Sequence, residues 1–180
     1  MDRAMNAVYA RGLNGEFALA DGSLPWKNSA QLQAEFRADM NRFRQLTSGG
    51  AVIMGFNTFK TFRAPLKDRM NVVIQNQAEA APLNEKKFTF FPSIEAAVQA
   101  LHSAGFSGSR IFLIGGAKLF SKAFSSRLVD GTVYETVFRA QFPEASVFMQ
   151  KPDSALWKLT QSEEAGLLTF NCYRRRMETP

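Results

Sequence analysis

The chain has 180 residues, 46% of them hydrophobic, which is enough for one domain with a substantial core, and no low-complexity stretch suggests a second. A single cysteine, Cys172, excludes an intramolecular disulfide, and a lone histidine, His102, leaves zinc sites and Cys-His or Ser-His-Asp mechanisms without support, so no metal is expected. The net charge of +6 would suit an anionic partner, but its one dense cluster, Arg174-Arg175-Arg176, lacks the aromatic interleaving of a single-strand binding surface, so no nucleic-acid partner is expected.

The opening "MDRAMNAVYARG" lacks the apolar centre of a signal peptide, and no apolar run is long enough to span a bilayer, so a cytoplasmic protein without a membrane partner is expected. "NAVYA" (6–10) reads as a first strand, followed by a glycine-bearing loop, "RGLNGEFALADGS", that ends in "LPW" (24–26). An amphipathic helix runs from about Gln31 to Thr47 and stops at Gly49-Gly50. "AVIM" (51–54) is a buried strand, "GFNTFKTF" turns into a second helix, "RMNVVIQ" (69–75) is the next strand, and a polar stretch through Glu85 to Lys87 leads to "FTFF". "SIEAAVQALHSAG" (93–105) is a helix capped by Ser93, on which His102 is an ordinary helix residue. In "RIFLIGGAKLFSKAF" (110–124) an apolar strand runs straight into Gly115-Gly116, and a helix begins after them. Such a turn lets a ligand approach the backbone and presents free N–H groups to a phosphate, although the same pattern also serves simple packing. "GTVYETVFRAQF" (131–142) reads as a long strand, and "LWKLTQSEEAGLLTFNCYRRR" as a closing hairpin. Short apolar runs alternating with helices favour an α/β domain with a largely parallel sheet, and seventeen phenylalanines imply a well-filled interior with room for an apolar pocket.

One residue of the first helix is out of place. At about 100° per residue from Leu32, Phe36 falls at ~40°, Met40 at ~80°, Phe43 at ~20° and Leu46 at ~320°, which defines a core-facing stripe. Asp39, at ~340°, lies inside it; Glu35, at ~300°, sits on its edge, and Arg42, at ~280°, falls on a flank expected to be solvated. A carboxylate facing a core is costly unless it is paired, and burial raises its pKa, so Asp39 either bonds a neighbouring strand or serves a site.

Taken together and in this order, "LPW", the strand "VIMG" before "NTF", Pro65, Arg69 and "IFLIGGAKLF" resemble dihydrofolate reductase, from the first strand to the C-terminal hairpin. The resemblance implies a single domain over 1–180 with a three-layer α/β fold: a mixed, mostly parallel central sheet, helices on both faces and an antiparallel C-terminal edge. It implies hydride transfer from NADPH to 7,8-dihydrofolate by a monomer that also binds antifolate-type inhibitors. The family's D-L-x-x-F-K pattern falls on Asp39, Met40, Phe43 and Arg44, so the resemblance and the helical face select the same acid. Trp26 and Thr136 complete the implied catalytic set, Thr136 orienting the acid and a water. Arg69 would take the α-carboxylate of the substrate's glutamate tail, which a planar guanidinium binds bidentately. Val8, Tyr9, Met40, Phe43, Phe62, Leu66, Ile114 and Phe120 would line the substrate site. On the cofactor side the resemblance implies Ala10, Leu24, Gly55, Phe56, Asn57, Thr58, Asn76, Gln77, Gly115, Gly116, Ala117, Lys118 and Leu119. The loop before Trp26 would be a lid beside the nicotinamide.

The chain departs from the family pattern in places. Asp39 lies thirteen residues after Trp26, a longer interval than usual, read as an insertion within "KNSAQLQAEFRA". With the insertion elsewhere, Glu35 would be the acid, which would move the following hydrophobic positions off the stripe. Phe56 stands where an arginine is frequent, Phe120 where a tyrosine is usual, and Asn76-Gln77 where a serine and a basic residue are typical; Lys118 or Lys60 would compensate. These changes bear on discrimination between NADPH and NADH. Ala145-Ser146 replace an acid and a threonine, which bears on loop closure and rate. Two other readings are a same-fold pyrimidine reductase of flavin synthesis, which lacks the "LPW" and buried-acid pair, and a folate-binding or structural protein with weak turnover.

Overall fold

The computed structural model describes residues 5–177. Ten strands and four α-helices follow in chain order: β1 (Asn6–Gly12), β2 (Glu16–Ala18), α1 (Gln33–Thr47), β3 (Ala51–Gly55), α2 (Phe56–Phe59), β4 (Met70–Ile74), β5 (Phe88–Phe91), α3 (Ile94–Ser103), β6 (Ile111–Gly115), α4 (Ala117–Ser125), β7 (Thr132–Phe138), β8 (Val147–Phe148), β9 (Trp157–Ala165) and β10 (Leu168–Arg175). Eight of the strands form one sheet in the order β5-β4-β3-β6-β1-β7-β10-β9, while β2 and β8 make a separate two-stranded ribbon. Pairs β1–β6, β3–β6, β3–β4 and β4–β5 are parallel, and β7–β10 and β9–β10 are antiparallel. The fold is therefore α/β with a mixed, mostly parallel sheet and an antiparallel C-terminal edge. No helix among the described residues is long and apolar enough to cross a membrane.

The chain divides into two compact units: residues up to Ala7 with Arg44–Gly131, and Val8–Phe43 with residues from Thr132 onward. In the first, β3, β4 and β6 are near-continuous apolar runs because both faces of a parallel sheet are covered. Val52, Met54 and Val73 form a core there, against which Phe59, Phe62, Leu66 and Ile114 pack. The one polar residue in β4, Asn71, is fully buried and satisfied: its Nδ2 donates to the carbonyls of Leu66 and Arg69 and its Oδ1 accepts the Leu66 N–H, each at 2.8 Å. Ser93 caps α3 by accepting the Ala96 N–H at 3.1 Å.

In the second unit, Trp26, Leu32, Phe138, Phe142 and Leu168 form a core, with the Trp26 indole stacked on Phe138 at 4.4 Å and edge-on to Phe142 at 5.5 Å. Burying one such aromatic contributes roughly 2–3 kcal/mol. Trp26→Ala would therefore remove the stacking partner that fixes Phe138, at a cost of about 3–5 kcal/mol.

Several boundaries differ from the periodicity reading. The loop after β1 is not structureless: β2 lies inside it and pairs with β8, Glu16 opposite Phe148. The long strand expected over 131–142 stops at Phe138, because the Arg139 N–H turns to Leu167 O and the Phe142 N–H is taken by the Glu16 carboxylate. The helix after "VIMG" is a single four-residue turn, and α1 is preceded by a 3-10 turn over Ala30–Leu32.

Candidate active site

The second unit carries the acid. Asp39 is 7% exposed on α1, and its carboxyl is hydrogen-bonded by the Thr136 hydroxyl, itself 2% exposed on β7. Burial pushes the Asp39 pKa up to about 6 from an ordinary 3.8, against the opposing pull of the Thr136 hydrogen bond and the Arg42 charge. Met40 and Phe43, on the same helix, are half-buried. Trp26 is fully buried, and its Nε1 has no hydrogen-bond partner among the described residues. Glu35 is placed differently: its Oε1 lies 3.5 Å from the Leu167 N–H, at the β9–β10 turn.

Val8 is 8% exposed on β1, Ala10 half-buried, and Leu24 packs against the Trp26 core. Tyr9 goes elsewhere. Its hydroxyl donates to Glu135 Oε2 at 3.0 Å, and Glu135, next to Thr136 on β7, points to the opposite face of the strand. The Tyr9 hydroxyl belongs to a buried polar cluster with Arg11 Nε at 2.9 Å, Asn171 Nδ2 at 3.1 Å and the Tyr173 hydroxyl at 3.3 Å, all on the Glu135 carboxylate. Burial, then the Glu135 charge, pushes the Tyr173 phenol up to about 12 and that of Tyr9 well above its usual range.

Two more side chains escaped the sequence reading. Arg42 does not lie on a solvated flank. Its guanidinium sits 4.7 Å from the Phe170 ring centre and 5.8 Å from that of Tyr134, because β7 and β10 present aromatic rings where the stripe geometry shows only a polar edge. Glu16, polar and inside a supposed loop, is 4% exposed; its carboxylate accepts the N–H groups of Asn14 at 2.8 Å and Phe142 at 3.2 Å. Burial raises the Glu16 pKa, but the backbone N–H bonds outweigh it and hold the carboxyl below its ordinary 4.5. Gly12 makes room for it, since a Cβ there would lie 2.4 Å from Glu16 Oε2.

The first unit carries the glycine turn. Gly115 has φ +145°, a conformation that side-chain-bearing residues rarely adopt, the Gly115–Gly116 peptide is cis, and a Cβ on either glycine would lie 3.2 Å from Thr58 Oγ1, a tight approach to that hydroxyl. The first main-chain bond of α4 is Phe120 N to Gly116 O at 3.0 Å, which leaves the N–H groups of Ala117, Lys118 and Leu119 outside the helix ladder, as an anion cradle requires. Gly55 closes on the same turn, a Cβ there lying 3.7 Å from Gly116 N. Phe56 and Asn57 are exposed, with Lys60 Nζ 5.4 Å above the Phe56 ring, and Asn76 and Gln77 are exposed in the turn after β4. Phe120 has no exposed surface and stacks on Phe124, so it packs inside the unit. Arg69 is 8% exposed, donating from Nε to Lys67 O at 2.8 Å and from Nη1 to Thr47 Oγ1 at 3.1 Å. Burial lowers its pKa, as does Arg44, against the pull of Asp68.

A buried acid on the first helix, with an inward indole donor and a bare glycine turn at a helix start, narrows the choice of family. The dihydrofolate reductase family profile matches residues 20–178 of this chain. The chain belongs to the dihydrofolate reductase family. It is 33% identical over 126 residues to a bifunctional dihydrofolate reductase-thymidylate synthase of Paramecium tetraurelia, covering 69% of this chain and 24% of that protein. It is 28% identical over 169 residues to a putative dihydrofolate reductase of Caenorhabditis elegans (91% and 86%) and 29% identical over 145 residues to dihydrofolate reductase of Bacillus subtilis (80% and 74%). The chain thus spans about a quarter of one of these relatives and most of the other two. Its fold matches that of a dihydrofolate reductase from Enterococcus faecalis complexed with NADP(H) and RAB-propyl, with a TM-score of 0.72, 17% identity, and coverage of 98% of this chain and 99% of that one. Within this reductase family fold, Arg42, Glu16 and Glu135 are side chains whose placement sequence motifs do not announce.

Proposed function

We propose that this chain reduces 7,8-dihydrofolate to tetrahydrofolate with NADPH, as a cytoplasmic monomer, and that it binds antifolate-type inhibitors at the substrate site. The observation that carries this reading is Asp39: a carboxyl 7% exposed, on the helix and in the motif where the family keeps its pterin-binding acid, with Thr136 hydrogen-bonded to it. Its two oxygens can accept from the amino group and ring N–H of the pyrimidine edge, and the apolar surroundings strengthen those bonds. Holding that edge polarises the ring and raises the basicity of N5, which takes its proton from water. Trp26, whose indole N–H has no partner among the described residues, would complete this set.

The glycine turn fits a dinucleotide. Bare backbone at Gly115 and Gly116, with the N–H groups of Ala117, Lys118 and Leu119, would hold the pyrophosphate, assisted by Gly55, Thr58 and their neighbours. When bound, NADPH supplies the hydride to C6 of the pterin. Arg69, which donates to Thr47 Oγ1 and Lys67 O, would pair with the substrate's tail carboxylate.

The test is consumption of NADPH with and without dihydrofolate, with tetrahydrofolate identified as product and NADH run in parallel. Oxidation that requires dihydrofolate supports the reading. Oxidation that requires a ribosylaminopyrimidine instead, or none with either substrate, rejects it.

A further inference from the structure

Arg42 is three residues from Asp39 on α1 and is tied to β7 and β10 by four contacts. Its Cζ lies over the rings of Phe170 and Tyr134, its Nη1 is 3.5 Å from Thr136 Oγ1, and its Nη2 is 3.6 Å from Cys172 Sγ. Phe170 stands directly opposite Thr136, and Cys172 opposite Tyr134, in the β7–β10 ladder. One guanidinium therefore spans two cross-strand pairs. The half-buried guanidinium is attracted to the face of Phe170, its Cζ 4.7 Å from the ring centre.

The chemistry of the contacts gives the placement a consequence. A guanidinium only donates, whereas a threonine hydroxyl has one proton and two lone pairs. With Nη1 on its acceptor side, Thr136 keeps its proton for its other neighbour, the Asp39 carboxyl. We propose that Arg42 is a positioning residue for the acid: by occupying the acceptor side of Thr136 it turns the hydroxyl proton toward Asp39 and favours the carboxylate that grips the pterin.

The other charged or titratable groups nearby leave this role to Arg42. Glu35 on α1 lies at the Gly166–Leu167 turn, and Glu135 on β7 is engaged by Arg11, Tyr9, Asn171 and Tyr173 on the other face of the strand. Cys172 on β10 and Tyr134 on β7 border the guanidinium. The Arg42 charge and the Thr136 hydrogen bond both act on Asp39 in the same direction, toward ionisation.

The proposal rests on the reading of Asp39 as the substrate-binding acid, so its test needs a readout apart from turnover. The Asp39 carboxyl is titrated by carbon NMR in the ligand-free protein, its signal assigned by its loss in Asp39→Asn. Arg42→Met, which keeps the stem and removes charge and donors, should raise the Asp39 midpoint by about one pH unit. Arg42→Lys, which keeps the charge on a flexible stem, should raise it less. In a Thr136→Val background the Arg42→Met shift should shrink by about half or more, because the hydroxyl through which Arg42 acts is gone. An unmoved midpoint in Arg42→Met and in Arg42→Lys, with thermal stability lowered or not, makes Arg42 a packing residue and overturns the proposal; so does a shift undiminished by Thr136→Val. Full turnover by Asp39→Asn would instead overturn the reading of Asp39, whatever the Arg42 variants do.

Discussion

A group kept for binding and not for folding leaves a thermodynamic signature, and for Asp39 it can be worked through. Its carboxyl titrates at about 6 in the folded chain against 3.8 ordinarily, chiefly because burial penalises the charged form. Between those values the folded state holds a proton that the unfolded state has released, so stability falls as pH rises through the window. Below about pH 4 the carboxyl is neutral in both states and carries no penalty; above about pH 6 it is charged in both and the penalty is complete. Two pH units correspond to about 3 kcal/mol. Asp39→Asn removes the charge while keeping an oxygen that can accept from Thr136. The variant should therefore match the parent near pH 4 and exceed it at pH 7.5 by about 2–3 kcal/mol, or roughly 5–10 °C in Tm for a chain of this length. Thermal unfolding of both proteins across pH 4 to 8 is the assay, with the difference between them as the readout, so that other titrating groups cancel. A difference that is constant with pH, or a variant less stable than the parent at pH 7.5, would refute the argument that Asp39 is a desolvated carboxylate held against the fold's own preference.

Three further outcomes follow from individual contacts. Arg11→Met strands the fully buried Glu135 carboxylate and should cost about 3–5 kcal/mol in denaturant unfolding at neutral pH; a loss under about 1 kcal/mol would mean that the Tyr9, Asn171 and Tyr173 donors suffice. Glu16→Ala orphans the Asn14 and Phe142 N–H groups and should cost about 2 kcal/mol, read as faster limited proteolysis between Leu13 and Leu24. Because the Glu16 pKa is depressed in the fold, its contribution is present above pH 4.5 and lost as pH falls through the lower folded value, so parent and variant should converge in acid. Arg69→Leu should raise KM for dihydrofolate about 10–100-fold with kcat largely kept, and an unchanged KM removes it from the site.

What could be read from the sequence, and what could not, divides by the range of the interaction. Runs such as "AVIM" and "NVVI" are legible because burial on both faces of a parallel strand needs only local composition. The Ser93 cap and the Gly115-Gly116 turn are legible because their chemistry lies within three residues. The inward position of Asp39 is legible because helical period alone places it on the stripe. Glu135 is not: in "TVYETVF" it looks like a solvent-facing residue of a half-buried strand, and the groups that neutralise it come from Arg11 on β1 and from Asn171 and Tyr173 on β10. The β2–β8 ribbon is too short to show alternation, and one of the two N–H groups that hold Glu16 comes from Phe142, 126 residues away. Arg42 sits on a polar edge of the helix by period, and only the rings of Tyr134 and Phe170 make that edge an interior.

The central claim, that one buried carboxyl of the first helix grips the substrate, meets its most direct test in dihydrofolate-dependent NADPH oxidation at neutral pH by Asp39→Asn beside Glu35→Gln. The account predicts that the first loses most of the activity and the second keeps it. Activity retained by Asp39→Asn and lost in Glu35→Gln would contradict it.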